Sequence, residues 1–324
     1  MLGKKFYMAI LTAEVPLELA GKRLDQVLVV VFPDYSRNKL QTWIKALRVT
    51  VDGVQIKAKD RLDGGETIVL DAEAEEVTEY LAEDIPLDII YEDDDILIVN
   101  KPAGFVVHPG AGNWTGTLQN ALLFHLPDAV TIPRSGIVHR IDKDTSGLLM
   151  VAKTLAAHHS LIEQLQAREI HREYLAVTIG RMTGGGTLDE PIGRHPTDRK
   201  KFAVNDSGKR AITHYRVLER FLRNTLIQVK LETGRTHQIR VHMAHIKMPL
   251  VGDPMYSGRF QMPKDCGVKL ETILRNFKRQ ALHAEKLGLM HPRTGEYMEW
   301  ELPMPEDMQA LLLALRNNDA LDHS

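Results

Sequence analysis

The 324-residue sequence predicts an α+β protein: a main domain built on a mixed, mostly antiparallel sheet, preceded by a small helix-hairpin unit. Three observations carry that expectation. From residue 88 onward, strand-like apolar runs succeed one another with few intervening helices, which argues against a doubly wound parallel sheet. Residues 17–73 instead hold two helical periodicities and an Asp-Gly turn. Between the two, residues 74–87 are acidic, carry Pro86 and show little apolar periodicity, which is the composition of a linker.

In the first unit, Leu24, Val27, Leu28 and Val31 recur at helical spacing within Leu19–Phe32. Ser36 is placed to cap a second helix over Arg37–Leu47, whose Leu40, Trp43, Ile44 and Leu47 form one face. Arg37, Gln41, Lys45 and Arg48 share an adjoining stripe, with Lys39 on the other side. Val49-Thr-Val-Asp-Gly-Val-Gln-Ile reads as a hairpin turning at Asp52-Gly53, and Glu66–Asp71 as a closing strand.

The main domain is expected over residues 88–318. Its first two strands flank the acidic turn in Asp88-Ile-Ile-Tyr-Glu-Asp-Asp-Asp-Ile-Leu-Ile-Val-Asn. Helices are predicted over Thr117–Leu126, ended by Pro127, over Leu155–Gln166, and from about His237. Strands are predicted after Arg168, with Tyr174 near the entry, and over Asn224–Leu231. At the centre stands Gly136–Thr154, two strand-like runs, Ile137-Val138 and Leu148–Val151, around the dense polar turn His-Arg-Ile-Asp-Lys-Asp-Thr-Ser-Gly. Asp142, at the end of the first run, is a partly desolvated carboxylate that calls for a cationic partner. Asp142, Asp144, Thr145 and Ser146 are also what a purely structural Asx-type turn is made of.

Composition narrows the function classes. The longest apolar runs, Val27–Phe32 and Ala310–Leu315, are far short of the roughly 18 residues of a membrane span. A secretory signal is not expected at the start. One cysteine, Cys266, excludes an internal disulfide framework and a multi-cysteine zinc site, so a reducing cytoplasm is the default; no role is assigned to it. The net charge of −2 is unevenly spread: residues 1–70 carry +3, residues 71–95 carry −12 and residues 96–324 carry +7. Two mildly basic bodies suit a polyanionic partner. Walker, dinucleotide-binding and nucleophile-elbow motifs are missing, and no nucleotide or other cofactor is expected. His237, His242 and His245 do not share one helical face and lack a His-Glu-x-x-His pattern, so no metal is expected.

The central stretch closely resembles the His-Arg-Leu-Asp-Lys-Asp-Thr-Ser-Gly signature of the bacterial RNA pseudouridine synthases that modify ribosomal RNA, with Ile141 in place of Leu. The match extends to Asn100-Lys101-Pro102-x-Gly104 and to Gly234-Arg-Thr-His-Gln-Ile-Arg240, and Arg23-Leu-Asp, Pro33-x-x-Ser-Arg and Val49-x-Val-Asp-Gly resemble the small RNA-binding module first known from ribosomal protein S-four. The resemblance implies a synthase-type catalytic domain and isomerisation of uridine to pseudouridine, in which the C1′–N1 bond breaks, the uracil rotates and C5 joins C1′. It implies Asp142 as the catalytic carboxylate, rather than Asp144, Arg240 as its partner, and Tyr174 as the ring that stacks on an extruded base and helps remove its proton. His139 and Arg140 would fill the vacated space or hold phosphate. It also implies large-subunit ribosomal RNA, free or in an assembling subunit, as the partner. RNA contacts are expected from Arg37, Lys39 and Lys45, from the basic loop with Arg194, Arg199, Lys200, Lys201 and Lys209, and from Arg235. The rival readings are a non-catalytic RNA-binding assembly factor on the same scaffold and a metal-dependent RNA hydrolase. Retention of Asp142, Tyr174 and Arg240 together opposes the first; the second requires clustered carboxylates.

Overall fold

The structure is a computed structural model and describes residues 9–33, 35, 37–72, 81–110, 113–259, 262 and 266–322. The chain divides into two compact units, Met1–Glu79 and Tyr80–Ser324.

The first unit packs two helices on a three-stranded antiparallel sheet. Its elements are β1 (Ala9–Glu14), α1 (Leu24–Val31), α2 (Arg37–Lys45), β2 (Val49–Val51) and β3 (Thr67–Ala72), in the sheet order β1-β3-β2. Leu24, Val27 and Leu28 of α1 meet Leu40, Trp43 and Ile44 of α2 over Ile68 and Leu70 of β3, so the helical spacing of the sequence buries the faces it marked. Three details differ from expectation. The first helix begins at Leu24 because Gly21, at φ +78°, separates it from a single 3-10 turn at Leu17–Leu19. Asp52 and Gly53 both take positive φ, as a primed turn requires, but only Val51 and Val54 bridge across it; β2 pairs with β3, a longer partner. Strand β1 was not foreseen. The expected cap, Ser36, lies outside the described residues.

The second unit is organised by a nine-stranded sheet. Its elements in chain order are β4 (Ile89–Glu92), β5 (Ile96–Lys101), α3 (Leu118–His125), β6 (Ser146–Ala152), α4 (Leu155–Ala167), β7 (His171–Ile179), β8 (Gly186–Asp189), β9 (Ile192–Arg194), β10 (Phe202–Val204), β11 (Ile212–Arg220), β12 (Asn224–Leu231), α5 (Gln238–His245), α6 (Val268–Asn276), β13 (Leu282–Met290), β14 (Tyr297–Glu301) and α7 (Glu306–Asp322). The large sheet runs β4-β5-β6-β13-β7-β12-β11-β8, with β14 also on β13, while β9 and β10 form a separate hairpin. Among the described residues, neighbouring strands of this sheet are antiparallel except β6 with β13. That exception is the mixed character foreseen from sequence. One face of the sheet buries Leu97, Val99, Leu149, Val151, Ile227 and Val229; the other buries Ile96, Ile98, Leu148, Met150 and Leu287 under α4.

β6 begins where the central polar turn ends and is buried along its whole length. Gly147 makes the close parallel approach possible: at φ +112°, a Cβ there would lie 2.2 Å from the Ala284 carbonyl oxygen of β13. Residues 81–87, expected as linker, carry no regular secondary structure but are tied down, since the Asn120 amide donates to the Leu81 carbonyl and Glu83 accepts from the Gly116 N–H.

Candidate active site

The first strand-like run of the central stretch is not a strand. Ile137 makes a single bridge to Val151, and residues 138–142 run on without regular secondary structure, so Asp142 stands on a coil rather than on a strand end. Neighbouring elements hold the coil from several sides. The Lys101 ammonium at the end of β5 is buried and donates to the carbonyls of Pro102, Phe105 and Lys143 at 2.7, 2.9 and 2.8 Å. Burial draws its pKa down to about 7 against the pull of Asp144 and Asp142. Gln280 donates to the Thr145 hydroxyl, Ser146 bonds the His283 ring, and Arg279 reaches the Asp144 carbonyl. The Asp142 carbonyl accepts from the Thr145 N–H. These contacts fix the backbone and leave the Asp142 side chain turned into a cleft.

That cleft, of about 90 Å³, is lined by Arg140, Asp142, Arg172, Tyr174, Arg235, His237 and Arg240 together with Ile141, Leu231 and Leu282. It combines residues from the central coil, β7, the end of β12 and α5. Asp144 does not line it. Asp142 Oδ2 accepts from Arg240 Nη1 at 2.9 Å. The two residues are separated by 98 positions in the chain and meet because α5 follows β12 back across the sheet.

Arg240 is itself held by a residue that sequence reasoning missed. Its Nε and Nη2 donate to the two carboxylate oxygens of Asp253 at 2.7 and 2.9 Å. Asp253 is sealed from solvent, and its Oδ1 accepts the N–H groups of Met255 and Tyr256. A bidentate grip fixes the guanidinium plane, and the remaining Nη1 points at Asp142. Burial opposes the charge on Arg240, but the Asp253 hydrogen bonds and the charges of Asp253 and Asp142 outweigh it and hold the guanidinium above its ordinary pKa. The sequence did carry a signal: Asp253 interrupts the apolar run of Pro249-Leu-Val-Gly-Asp-Pro just before a proline.

Tyr174, the fourth residue of β7, pairs across to Val229 and Ala284 and is 6% exposed. Burial raises its pKa, with Asp142 adding in the same direction and Arg172 opposing, so the phenol is protonated at neutral pH. A protonated ring suits stacking better than the proton-acceptor role expected for it. His237, for which the sequence suggests only a helix-surface or RNA-facing place, also enters the site. It adopts φ +57° at the start of α5, places Nε2 3.9 Å from Asp142 Oδ1 and bonds Tyr256 through Nδ1 at 2.8 Å. Burial lowers its pKa, partly countered by Asp142. A non-glycine residue in the left-handed region costs energy, and here that conformation delivers the ring to the Asp142 carboxylate.

The three histidines do not converge: His242 is buried between Thr213 and the Glu190 carbonyl, and His245 is exposed. His139 departs from its expected role. Its Nε2 accepts the Met150 N–H at 3.1 Å, and burial beside Arg172 pushes its pKa down to about 3, so it is a neutral structural acceptor rather than a phosphate-holding cation. Arg140 is exposed at the cleft rim and fits the expectation better.

The basic loop forms the β9–β10 hairpin. Arg194 stacks over Phe202 at 4.5 Å, Phe202 meets the His237 ring edge-on, and the Phe202 N–H donates to Tyr256. Arg199 and Lys200 are exposed between β9 and β10, while Lys201 lies 3.9 Å from Asp198. In the first unit, Arg37 and Gln41 both donate to the buried Asp25, Arg48 pairs with Asp71, and Lys39 lies over the Trp43 ring. The expected basic stripe therefore turns partly inward, although Arg37 stays 56% exposed.

Comparison with known proteins agrees with the geometry. The sequence model of the family described as RNA pseudouridylate synthase matches residues 95–245, and that of the S4 domain matches residues 22–68. Proteins named ribosomal large subunit pseudouridine synthase D, from Pseudomonas aeruginosa and from Escherichia coli K12, are 58% and 55% identical to it, each over 94% of this chain and over 96% and 94% of their own. The chain belongs to the RNA pseudouridylate synthase family. It is therefore an isomerase that makes pseudouridine. Two solved human structures, RNA pseudouridylate synthase domain containing 4 and domain containing 1, superpose on the synthase with TM-scores of 0.55 and 0.52. Their identities are 25% and 28%, with coverage of 70% and 72% of this chain and 92% and 96% of theirs. Among the described residues, no helix of the synthase is long and apolar enough to cross a membrane.

Proposed function

We propose that the synthase isomerises uridine to pseudouridine in large-subunit ribosomal RNA, with Asp142 as the catalytic carboxylate acting on a uridine extruded from the RNA. The observation that carries this reading is the 2.9 Å ion pair between Asp142 and Arg240 inside an open cleft. Asp142 attacks or stabilises the reacting sugar or base while the C1′–N1 bond breaks; C5 then bonds to C1′, and the C5 proton leaves as N1 gains one. Arg240, oriented by Asp253, supports the carboxylate, and Tyr174 offers its ring face to the base. The nucleotide must leave its helix to reach the cleft, at a cost of roughly a few kcal/mol. Arg140, Arg235, Arg199, Lys200 and Lys201 supply phosphate contacts in the second unit, and Arg37, Lys39 and Lys45 in the first. The relatives' names support the RNA class, and the S4 domain match supports an RNA-binding unit over residues 17–73 beside a catalytic domain over residues 88–318.

Asp142→Asn should abolish pseudouridine formation in large-subunit ribosomal RNA, read by chemical mapping, while RNA affinity stays within about twofold. Asp144→Asn should keep most of the activity. Equal activity in wild type and Asp142→Asn rejects the assignment. A non-catalytic assembly factor predicts that wild type leaves no pseudouridine at all.

A further inference from the structure

Arg172 is 7% exposed and, although its backbone belongs to the β7–β13 ladder, its side chain makes no hydrogen bond or ion pair among the described residues; its Nε is sealed from solvent without an acceptor. A mostly buried guanidinium whose Nε has no acceptor is costly, and an orphan donor of that kind in a folded protein calls for an explanation. Its position offers one. Arg172 lies two residues before Tyr174 on β7, on the same face of the strand, and lines the catalytic cleft. It also lines a neighbouring recess of about 540 Å³ whose other cationic walls are Arg134, Arg140, Arg168 and Arg235. Arg140, Arg172 and Arg235 belong to both cavities, so the recess continues the cleft.

The counter-charge in the recess is small. Glu232 is its one carboxylate among the described residues, and that group is already paired with Arg168 at 2.9 Å and with His214 at 2.7 Å. His108 and His139 lose charge through burial and do not add to the cationic wall. Gly234 leaves room for the guanidinium, since a Cβ there would lie 2.9 Å from Arg172 Nη1.

We infer that this recess is a phosphate site, in which Arg172 binds a backbone phosphate of a nucleotide adjoining the extruded uridine, with Arg134 and Arg140 at its rim. The inference rests on the proposed RNA substrate. A phosphodiester supplies the acceptor that Arg172 lacks, and a recess continuous with the cleft receives the strand next to the reacting nucleotide.

The test compares wild type with Arg172→Met and Arg172→Lys, each full length, binding a large-subunit ribosomal RNA transcript over a range of salt concentrations. Arg172→Met should bind about tenfold more weakly and show a salt slope (log affinity against log salt) shallower by about 0.7 to 0.9, the signature of one missing phosphate partner. Its melting temperature should hold or rise, because a mostly buried guanidinium whose Nε has no acceptor has been removed. Arg172→Lys should keep the slope. An unchanged slope in Arg172→Met overturns the inference, and so does a fall in its melting temperature that accompanies the loss of affinity, which marks a structural role. If inorganic phosphate stabilises wild type but not Arg172→Met while RNA binding is equal in both, the recess is a free-anion site and the RNA assignment fails. Binding is read without turnover, so absence of pseudouridine in this transcript with wild type rejects the substrate reading, whereas normal conversion with an unchanged slope rejects the phosphate site alone.

Discussion

At the scale of single residues, the site depends on how one guanidinium is shared. Arg240 directs two donors to Asp253 and one to Asp142, so the cation that meets Asp142 in the cleft is oriented by a second carboxylate that does not line it. Asp253→Ala should cost about 3–5 kcal/mol of stability, since it strands a buried charge. Asp253→Asn keeps the shape and one acceptor oxygen but gives up the charged bidentate grip. It should fold, bind RNA nearly as wild type does and lose kcat by at least tenfold with little change in KM. Single-turnover rates beside melting curves check this, and an unchanged kcat would show that Arg240 needs no second anchor. That Asp142, Tyr174 and Arg240 share one cleft was legible in the sequence, because the family resemblance picked out all three. Asp253 and the ring of His237 were not, since their meaning lies in a fold-dependent meeting of α5 with the chain that follows it.

At the scale of elements, strands and helices with unbroken periodicity were read well, and the misreadings fall where partner choice overrides local pattern. β2 leaves the hairpin that its Asp-Gly turn suggests because β3 offers it a full ladder. Ile137-Val138 has strand composition, yet the chain peels away after one bridge and so frees the coil that displays Asp142. The anticipated strand β6 then hides a requirement that no periodicity reveals. Its parallel approach to β13 leaves no space for a side chain at Gly147, which also holds φ +112°. Gly147→Ala should therefore destabilise the second unit by at least about 3 kcal/mol, from strain and overlap together, and should impair catalysis even where the protein folds, since Ser146 and Thr145 would shift with it. Chemical denaturation and activity at low temperature test the two effects separately. Wild-type stability in the variant would mean that β6 and β13 can move apart without cost.

At the scale of the whole molecule, two properties follow from how charge is distributed. The first is acid sensitivity. Burial draws the pKa of His139 down to about 3 and that of His283 to about 4, so the folded protein favours their neutral forms. A group depressed in this way contributes stability above its unfolded pKa of about 6.5 and loses it as the pH falls toward the folded value. Melting temperature should decline below about pH 6, each group contributing at most roughly 1.4 kcal/mol per pH unit. His139→Gln, which retains an acceptor for the Met150 N–H, should flatten that decline, and an identical slope in the variant would remove His139 as a source. The second property is the division of labour between two units that each bury a core of their own. The cleft belongs wholly to the second unit, whereas Lys39, Lys45 and the exposed part of Arg37 belong to the first. Removing residues 1–80 should therefore leave the chemical step near its wild-type rate at saturating RNA, because Asp142, Tyr174, Arg240 and Asp253 keep their surroundings. Affinity should fall at the same time, and the salt slope should shrink in proportion to the number of phosphates that the first unit had neutralised. A truncated protein with full affinity and an unaltered slope would show that the first unit's basic helix does not meet the RNA. One with full affinity and a lost chemical step would show that the first unit acts on the cleft itself.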